Sequence, residues 1–327
     1  MRAIALVALA ACLAGCSATR DTARSDAVAA ASTGTGAAPA VAMPSIAPGA
    51  GEPASTAAPI ACADDAGWSD PATPRRIHGD TYFVGTCGIT ALLVTSDSGH
   101  VLLDAGTERA APQVLANIRA LGFRAEDVDY IVNSHAHHDH AGGIAALQRA
   151  SGATVAAMPD ALPILRSGGS TPADPQHGAL DRFPGVAATR AIADRGVLRL
   201  GPLALTAHAT PGHMPGGTSW TWRSCEGAHC IDIAFVDSLT AVSAPGYRFS
   251  DERAHPHVLP AFRATFERVR GLPCDLLLTP HPQASTLWSR LGPGATRPLV
   301  EPGACRAYAD TAERRLQTRL AEERAAR

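Results

Sequence analysis

"VNSHAHHDHAGG", residues 132–143, puts His135, His137, His138 and His140 together with Asp139 inside six consecutive positions. A solvated polar loop is the ordinary explanation for such a run. Its flanks speak against that. "VDYIV" upstream has the apolar character of a buried strand, predicted over 128–133, and "AGGIAALQRA" downstream opens a helix from about 141. A strand that ends in ligand-type side chains at the mouth of a helix is where α/β folds place chemistry. His135 and His137, two residues apart, can share one side of an extended turn, while Asp139 and His140 face a neighbouring point. Two more histidines stand where apolar runs break into turns, His213 in "ATPGHMPGG" and His281 in "LLLTPHP". A single tetrahedral zinc with an open position needs three protein ligands. Six candidates from three strand ends therefore suit two metal ions.

Around this centre the chain alternates strands and helices in two rough halves, the pattern of sheets sandwiched between helices. Residues 81–107 break into short apolar strands punctuated by Gly and Ser-Asp turns, and 111–123 has helical spacing at Val114, Leu115, Ile118 and Leu121. A Gly/Pro-rich loop follows at 166–178, and 196–222 returns to strands. The run 231–242 is predicted as a strand, 259–272 as a helix, 274–282 as a strand ending in His281, and the tail as an amphipathic helix.

The chain has 327 residues, 46 % hydrophobic and 18 % charged, with a formal net charge of −2, so a full core is expected and no basic footprint for nucleic acid is present. It contains no lysine. That removes a Walker A phosphate loop, a Schiff-base lysine and the Ser-x-x-Lys nucleophile of serine β-lactamases. "MRAIALVALAACLAGCS" carries one Arg and an apolar run too short to span a bilayer, the form of an export signal. "LAGC" resembles a bacterial lipobox, with Cys16 as the lipidated residue; an ordinary secretory signal is the alternative. Residues 17–57 are rich in Ala, Ser, Thr, Gly and Pro and are expected to form a flexible tether, leaving 58–327 as the folded domain. The expected location is the periplasm, with any membrane attachment made through the lipid. Beyond the signal stand Cys62, Cys87, Cys225, Cys230, Cys274 and Cys305, an even number in an exported chain, which allows fifteen disulfide connectivities. Cys225 and Cys230 flank "EGAH", as at a hairpin tip. No heptad or apolar stripe points to an assembly, and a monomer is expected.

The His-x-His-x-Asp-His run, with "PGHMPGGTSW" and "LLLTPHP" downstream, resembles the metallo-β-lactamase superfamily over nearly all of 60–327. "ADDAGWSDP", "TWRSCEG", "DSLTAVSAPGYRFSD" and "CDLLLTPHPQASTLW" resemble in particular the third subclass of class B zinc β-lactamases. The resemblance implies an αββα sandwich, two mixed sheets between helical layers, with metals at one edge. It implies two Zn2+ per chain, the first on His135, His137 and His213 and the second on Asp139, His140 and His281. It pairs the cysteines 62–87, 225–230 and 274–305. The implied activity is hydrolysis of the β-lactam amide of penicillins, cephalosporins and carbapenems by a metal-bound hydroxide that Asp139 orients, giving antibiotic resistance. No covalent intermediate is needed, in keeping with the absence of a Gly-x-Ser-x-Gly elbow. Asp104, in "LLDAG", becomes a buried partner of a ligating histidine. Ser238 and Thr240 would reach the substrate carboxylate.

"FVDSLT" also aligns with glyoxalase II-type hydrolases, with Asp237 at their metal-bridging aspartate. The following "AVSAPGYRF" resembles the lactamases more, so Asp237 stays outside the ligand set. The alternative activity is a same-fold dinuclear hydrolase acting on a lactone or thioester. A non-catalytic zinc-binding lipoprotein is a third reading, against which a complete ligand set speaks. His138 occupies a variable position and is read as a non-ligand. Gln176 and His177, in the Gly/Pro loop, are candidates to touch substrate. His78, His100, His229, His255 and His257 are expected to be solvated, His208 to be a satisfied, partly buried imidazole, and Trp220 and Trp222 to be packing residues.

Overall fold

The computed structural model describes residues 60–292 and 294–326; the expected signal with Cys16 and the tether at 17–57 lie outside the described residues. The first sheet is formed by β1 (Arg75–His78), β2 (Thr81–Phe83), β3 (Leu92–Ser96), β4 (Gly99–Leu103), β5 (Val128–Val132), β6 (Thr154–Ala157) and β7 (Thr189–Ala191), in that spatial order. Its first four strands pair antiparallel and its last four parallel, with β4 in both groups. The second sheet has the order β12-β11-β10-β9-β8. Its strands are β8 (Val197–Leu200), β9 (Leu203–Ala209), β10 (Thr218–Glu226), β11 (His229–Phe235) and β12 (Leu276–Leu278). Only the β11–β12 pair in it is parallel.

Period-two alternation decides the layers. Along β3 and β4, Leu92, Val94, Val101 and Leu103 point into the core between the sheets, where they meet Leu205, Trp220, Ile233 and Phe235 of the second sheet. Leu93 and Leu102, one residue out of step, point the other way. They pack with Ile131 and Val155 beneath α1 (Ala111–Ala120), α3 (Ile144–Ser151) and α4 (Leu162–Ser167). On the far side, Ala234 and Leu277 of the second sheet, with Val236 just past it, lie under α5 (Val258–Arg270) and α6 (Ala304–Ala325), which bring Phe262, Phe266, Ala309 and Leu316. Three apolar clusters thus separate four layers, the expected αββα sandwich. No helix among the described residues is long and apolar enough to cross a membrane.

Some expectations need revision. The run at 231–242 is a strand only to Phe235, because Val236 onward leaves the sheet to build one wall of the site. The helix expected from about 141 begins earlier, as a short α2 (His138–Ala141) inside the histidine run itself. His78 and His100 are buried rather than solvated, His78 against Ser224 (3.3 Å) and His100 edge-on to Phe123. Each is the last or an early residue of a strand whose flank is covered, a tertiary effect that turn-like sequence conceals. His208 is half-buried with Nε2 2.8 Å from the Thr221 hydroxyl, and Trp220 and Trp222 are buried, as read. The cysteines are bonded 62–87, 225–230 and 274–305; Cys225 and Cys230 face each other at the β10–β11 hairpin.

Candidate metal centre

The carboxyl ends of β4, β5, β9, β11 and β12 point to one edge of the sandwich, and each carries a polar loop. The loop after β5 and the following α2 bring His135, His137, Asp139 and His140, all buried. The β9–β10 loop brings His213, the segment after β11 brings Asp237, Ser238 and Thr240, and the turn after β12 brings His281. The Gly-Gly after the run is a packing requirement. A Cβ at Gly143 would stand 2.4 Å from the Ala105 carbonyl oxygen, so only glycine lets α2 lie this close to the loop after β4. Trp220 ties the second sheet to the same place, its indole N–H donating to the Asn133 carbonyl (3.0 Å).

The proposed ligands form two adjoining groups, His135, His137, His213 and His135, Asp139, His140, within which the candidate donor atoms all lie inside 4.8 Å of one another. His281 closes the second group. Its Nε2 lies 3.2 Å from His140 Nε2 and 3.3 Å from Asp139 Oδ2, and His140 Nε2 lies 3.1 Å from the same carboxylate oxygen. A zinc held by bonds of about 2.0–2.1 Å in tetrahedral geometry separates its ligand atoms by about 3.3 Å. The triangle has the dimensions of three corners of that tetrahedron, so the residues present fit the ion.

What lies behind each imidazole decides which nitrogen it offers. His135 Nδ1 is 2.8 Å from Asp237 Oδ1, His137 Nε2 is 2.9 Å from Asp174 Oδ2, and His213 Nδ1 donates to the Thr240 carbonyl (2.8 Å). His140 Nδ1 sits 3.5 Å from Asp104 Oδ2. With those nitrogens protonated, His135, His140 and His213 present Nε2 and His137 presents Nδ1. Asp104 is held in turn by the Ser134 amide (2.6 Å) and hydroxyl (2.7 Å), at a left-handed φ of 58° that few residues other than glycine adopt.

Electrostatics fit a cation. Burial, reinforced by the neighbouring imidazoles, lowers His213 to about 3 and pushes His135 well below the ordinary value, so both are neutral with lone pairs free. Burial also lowers His281. His140 goes the other way: burial would lower it, but the Asp139 and Asp104 carboxylates outweigh that and raise it to about 10. Burial would raise Asp139, yet the pull of His140 holds it well below the usual carboxylate range. Positive charge is thus favoured beside Asp139.

Other candidates find distinct places. Gln176 does reach the site, its Nε2 3.4 Å from His213 Nε2, whereas His177 turns to the Ser170 hydroxyl (2.8 Å). His138 packs beside Trp68, with ring centroids 5.6 Å apart, and lies outside both triads. Asp237 stands on the far side of His135 from the donor nitrogen. A Cβ at Gly217 would come within 2.4 Å of Asp237 Oδ2, so glycine there makes room for the carboxylate. Sequence reasoning missed Asp174, whose one signal is its place two residues before Gln176, and it gave Trp68 no role, although the indole is 44 % exposed at the edge of the cluster and 5.9 Å from the His281 ring.

Comparison with known proteins agrees with this geometry. The profile of the Metallo-beta-lactamase superfamily matches residues 84–281. The crystal structure of metallo-beta-lactamase SMB-1 bound to 2-mercaptoethanesulfonate shares 50 % identity over 79 % of this chain and 100 % of that one, with a TM-score of 0.75. MIM-1 from Novosphingobium pentaromativorans shares 50 % identity over 79 % of this chain and 93 % of its own, at 0.76. MEM-A1, a subclass B3 metallo-beta-lactamase from a soil metagenome library, shares 45 % over 80 % and 100 %, also at 0.76. A hydroxyacylglutathione hydrolase of Anaeromyxobacter dehalogenans (strain 2CP-C) is 35 % identical over 149 residues, and the match spans only 45 % of that curated relative's length. With its sandwich, its histidine edge and these matches, the chain belongs to the metallo-beta-lactamase superfamily.

Proposed function

We propose that the chain is a zinc-dependent hydrolase of the β-lactam amide bond, and the observation that carries this is the pair of ligand triads at the edge of a fold shared with subclass B3 enzymes. The first zinc would be held by His135, His137 and His213, the second by Asp139, His140 and His281. Two zinc ions so placed supply a water activated near neutral pH and a Lewis acid for the carbonyl oxygen. The chain's own groups do the rest. Asp139, with Oδ2 at one corner of the second triad, orients the attacking water and takes its proton. Asp237, Asp174 and the Thr240 carbonyl hold three imidazoles in fixed tautomers, so no ligand must turn during reaction. Ser238 and Thr240 line the groove beside His281 and bind the substrate carboxylate, while Gln176 stands at His213.

The thioester alternative draws on the hydroxyacylglutathione hydrolase, a partial match. Asp237, the residue it would need as a metal bridge, has Oδ1 occupied by His135 Nδ1 and the Ser238 amide. That supports the lactam reading. The same proposal extends to organisation: an export signal at 1–16 lipidated on Cys16, a tether at 17–57, and a periplasmic, monomeric domain at 58–327. Loss of carbapenem absorbance, measured with purified 58–327, tests the activity. Turnover abolished by a chelator and restored by zinc is expected. No turnover by a chain carrying two zinc ions would overturn it.

A further inference from the structure

The groove lined by Ser238 and Thr240 extends well past the metal edge. It forms a cavity of about 840 Å³ that begins at Trp68 and His281, follows Leu239–Val242, and ends against α6 at Arg315 and Arg319. Four guanidinium groups line it, those of Arg290, Arg297, Arg315 and Arg319, against a single carboxylate, Glu301. Two of the four are already engaged. Arg297 pairs with Glu301 (2.8 Å), and Arg319 pairs with Glu323 (2.7 Å) and donates to the Ser243 hydroxyl (3.0 Å). The other two form no ion pair. Arg290, only 4 % exposed, donates to the carbonyls of Leu277 (2.7 Å) and Leu299 (3.1 Å), has no carboxylate at ion-pair distance, and leaves Nε without a partner. Arg315 is exposed and makes no hydrogen bond or ion pair among the described residues. Burial and the neighbouring Arg297 work against the Arg290 charge and Glu301 offsets them only in part, so a further anion in the cavity is favoured. Elsewhere on the lining of the same cavity, Arg315 supplies a planar fork suited to a carboxylate or sulfonate.

We propose that this distal end is an anion-recognising subsite of the substrate groove, with Arg315 making the contact and Arg290 supplying a fixed charge in the floor. Its ligand is a negatively charged substituent on the carboxylate-bearing ring of the β-lactam. This rests on the lactam reading, which assigns the ring carboxylate to Ser238 and Thr240. A group attached next to that carboxylate continues along the groove toward α6.

The test uses the zinc-loaded chain and two β-lactams of one nucleus that differ only in whether this substituent ends in a carboxylate or its methyl ester. Arg315→Glu is expected to lower kcat/KM for the acid about tenfold, mainly through KM, and to change the ester less than about twofold; Arg315→Lys should retain most of the preference. Equal losses on both compounds would overturn the subsite. So would competition by inorganic phosphate with no discrimination between the lactams, which would mark a general anion patch. If the wild type turns over neither compound, the lactam reading fails separately. Calorimetric binding of the two pre-hydrolysed compounds then decides the subsite: tighter binding of the acid, lost in Arg315→Glu, sustains it, and equal binding refutes it.

Discussion

Two regions of this molecule bury carboxylates, and they do so for opposite purposes. At the metal edge Asp104, Asp174 and Asp237 are each turned toward an imidazole, and Asp237 keeps one oxygen with no partner. At the seam between α5 and α6, Glu323 accepts from the amides of Phe249 (3.2 Å) and Ser250 (2.7 Å) and from Arg319 (2.7 Å). Arg270 on α5 pairs with Glu267 of its own helix and reaches Asp310 and Glu313 across the same seam. The titration directions follow. Burial, with Asp104 nearby, pushes Asp237 well above the usual carboxylate range. Burial would also raise Glu323, but its amide and arginine donors outweigh that and lower it. A carboxylate fully satisfied by the fold stabilises the fold. One left short of donors is held for a charge that arrives with the cation.

The strongest way to break this contrast is to remove His135, a ligand of the first triad whose donor atom also lies among those of Asp139 and His140. His135→Ala is expected to lower kcat by about 10³-fold or more, because metal chemistry contributes several kcal/mol and each 1.36 kcal/mol is tenfold. Elemental analysis should show fewer than two zinc ions per chain, with a circular dichroism spectrum unchanged. Full activity would remove His135 from the centre. One step smaller, Asp174→Asn and Asp237→Asn keep the shape but weaken the acceptor behind an imidazole. Each should weaken zinc binding about 10- to 100-fold, read by competition with a chromogenic chelator, while the thermal midpoint of the metal-free chain moves little. A large loss of metal-free stability would instead place these aspartates in the same class as Glu323.

The contrast also marks what a sequence discloses. The His135–His140 run is contiguous, and its ligand spacing is legible without a fold. His213 and His281 are legible because Pro-Gly and Thr-Pro turns end their strands. Asp174 is not, since its partnership with His137 spans a loop with no periodicity and is made only in three dimensions. The layers were legible from the order of strands and helices and from the resemblance, since Leu92-Leu93-Val94 is apolar throughout and takes its two faces only in the fold, whereas the end of β11 was not legible. The apolar character of Val236 and Leu239 continues past it, and only the pull of the site on Asp237 and Thr240 takes the chain out of the sheet. His78 and His100 misled for the same reason: burial by a segment distant in sequence leaves no local trace.

The smallest effect expected belongs to the seam. Glu323 has a folded-state pKa below its ordinary value of 4.5, so its contribution is fully present above the unfolded-state pKa and is lost as pH falls through the folded one. Glu323→Gln retains a carbonyl acceptor but gives up the charge that Arg319 and two amides share. At pH 7 the variant should be less stable by about 1–2 kcal/mol, the scale of a hydrogen bond to a charged group. That difference from wild type should shrink steadily between pH 5 and about pH 3, as protonation removes the same charge from the natural side chain. Denaturant unfolding of the metal-free chains across that range separates this from the metal edge, because the double difference cancels every carboxylate the two chains share. A gap that stays constant with pH would mean that Glu323 stabilises by packing alone, and the distinction between a carboxylate kept for the fold and one kept for a cation would then rest on geometry without charge.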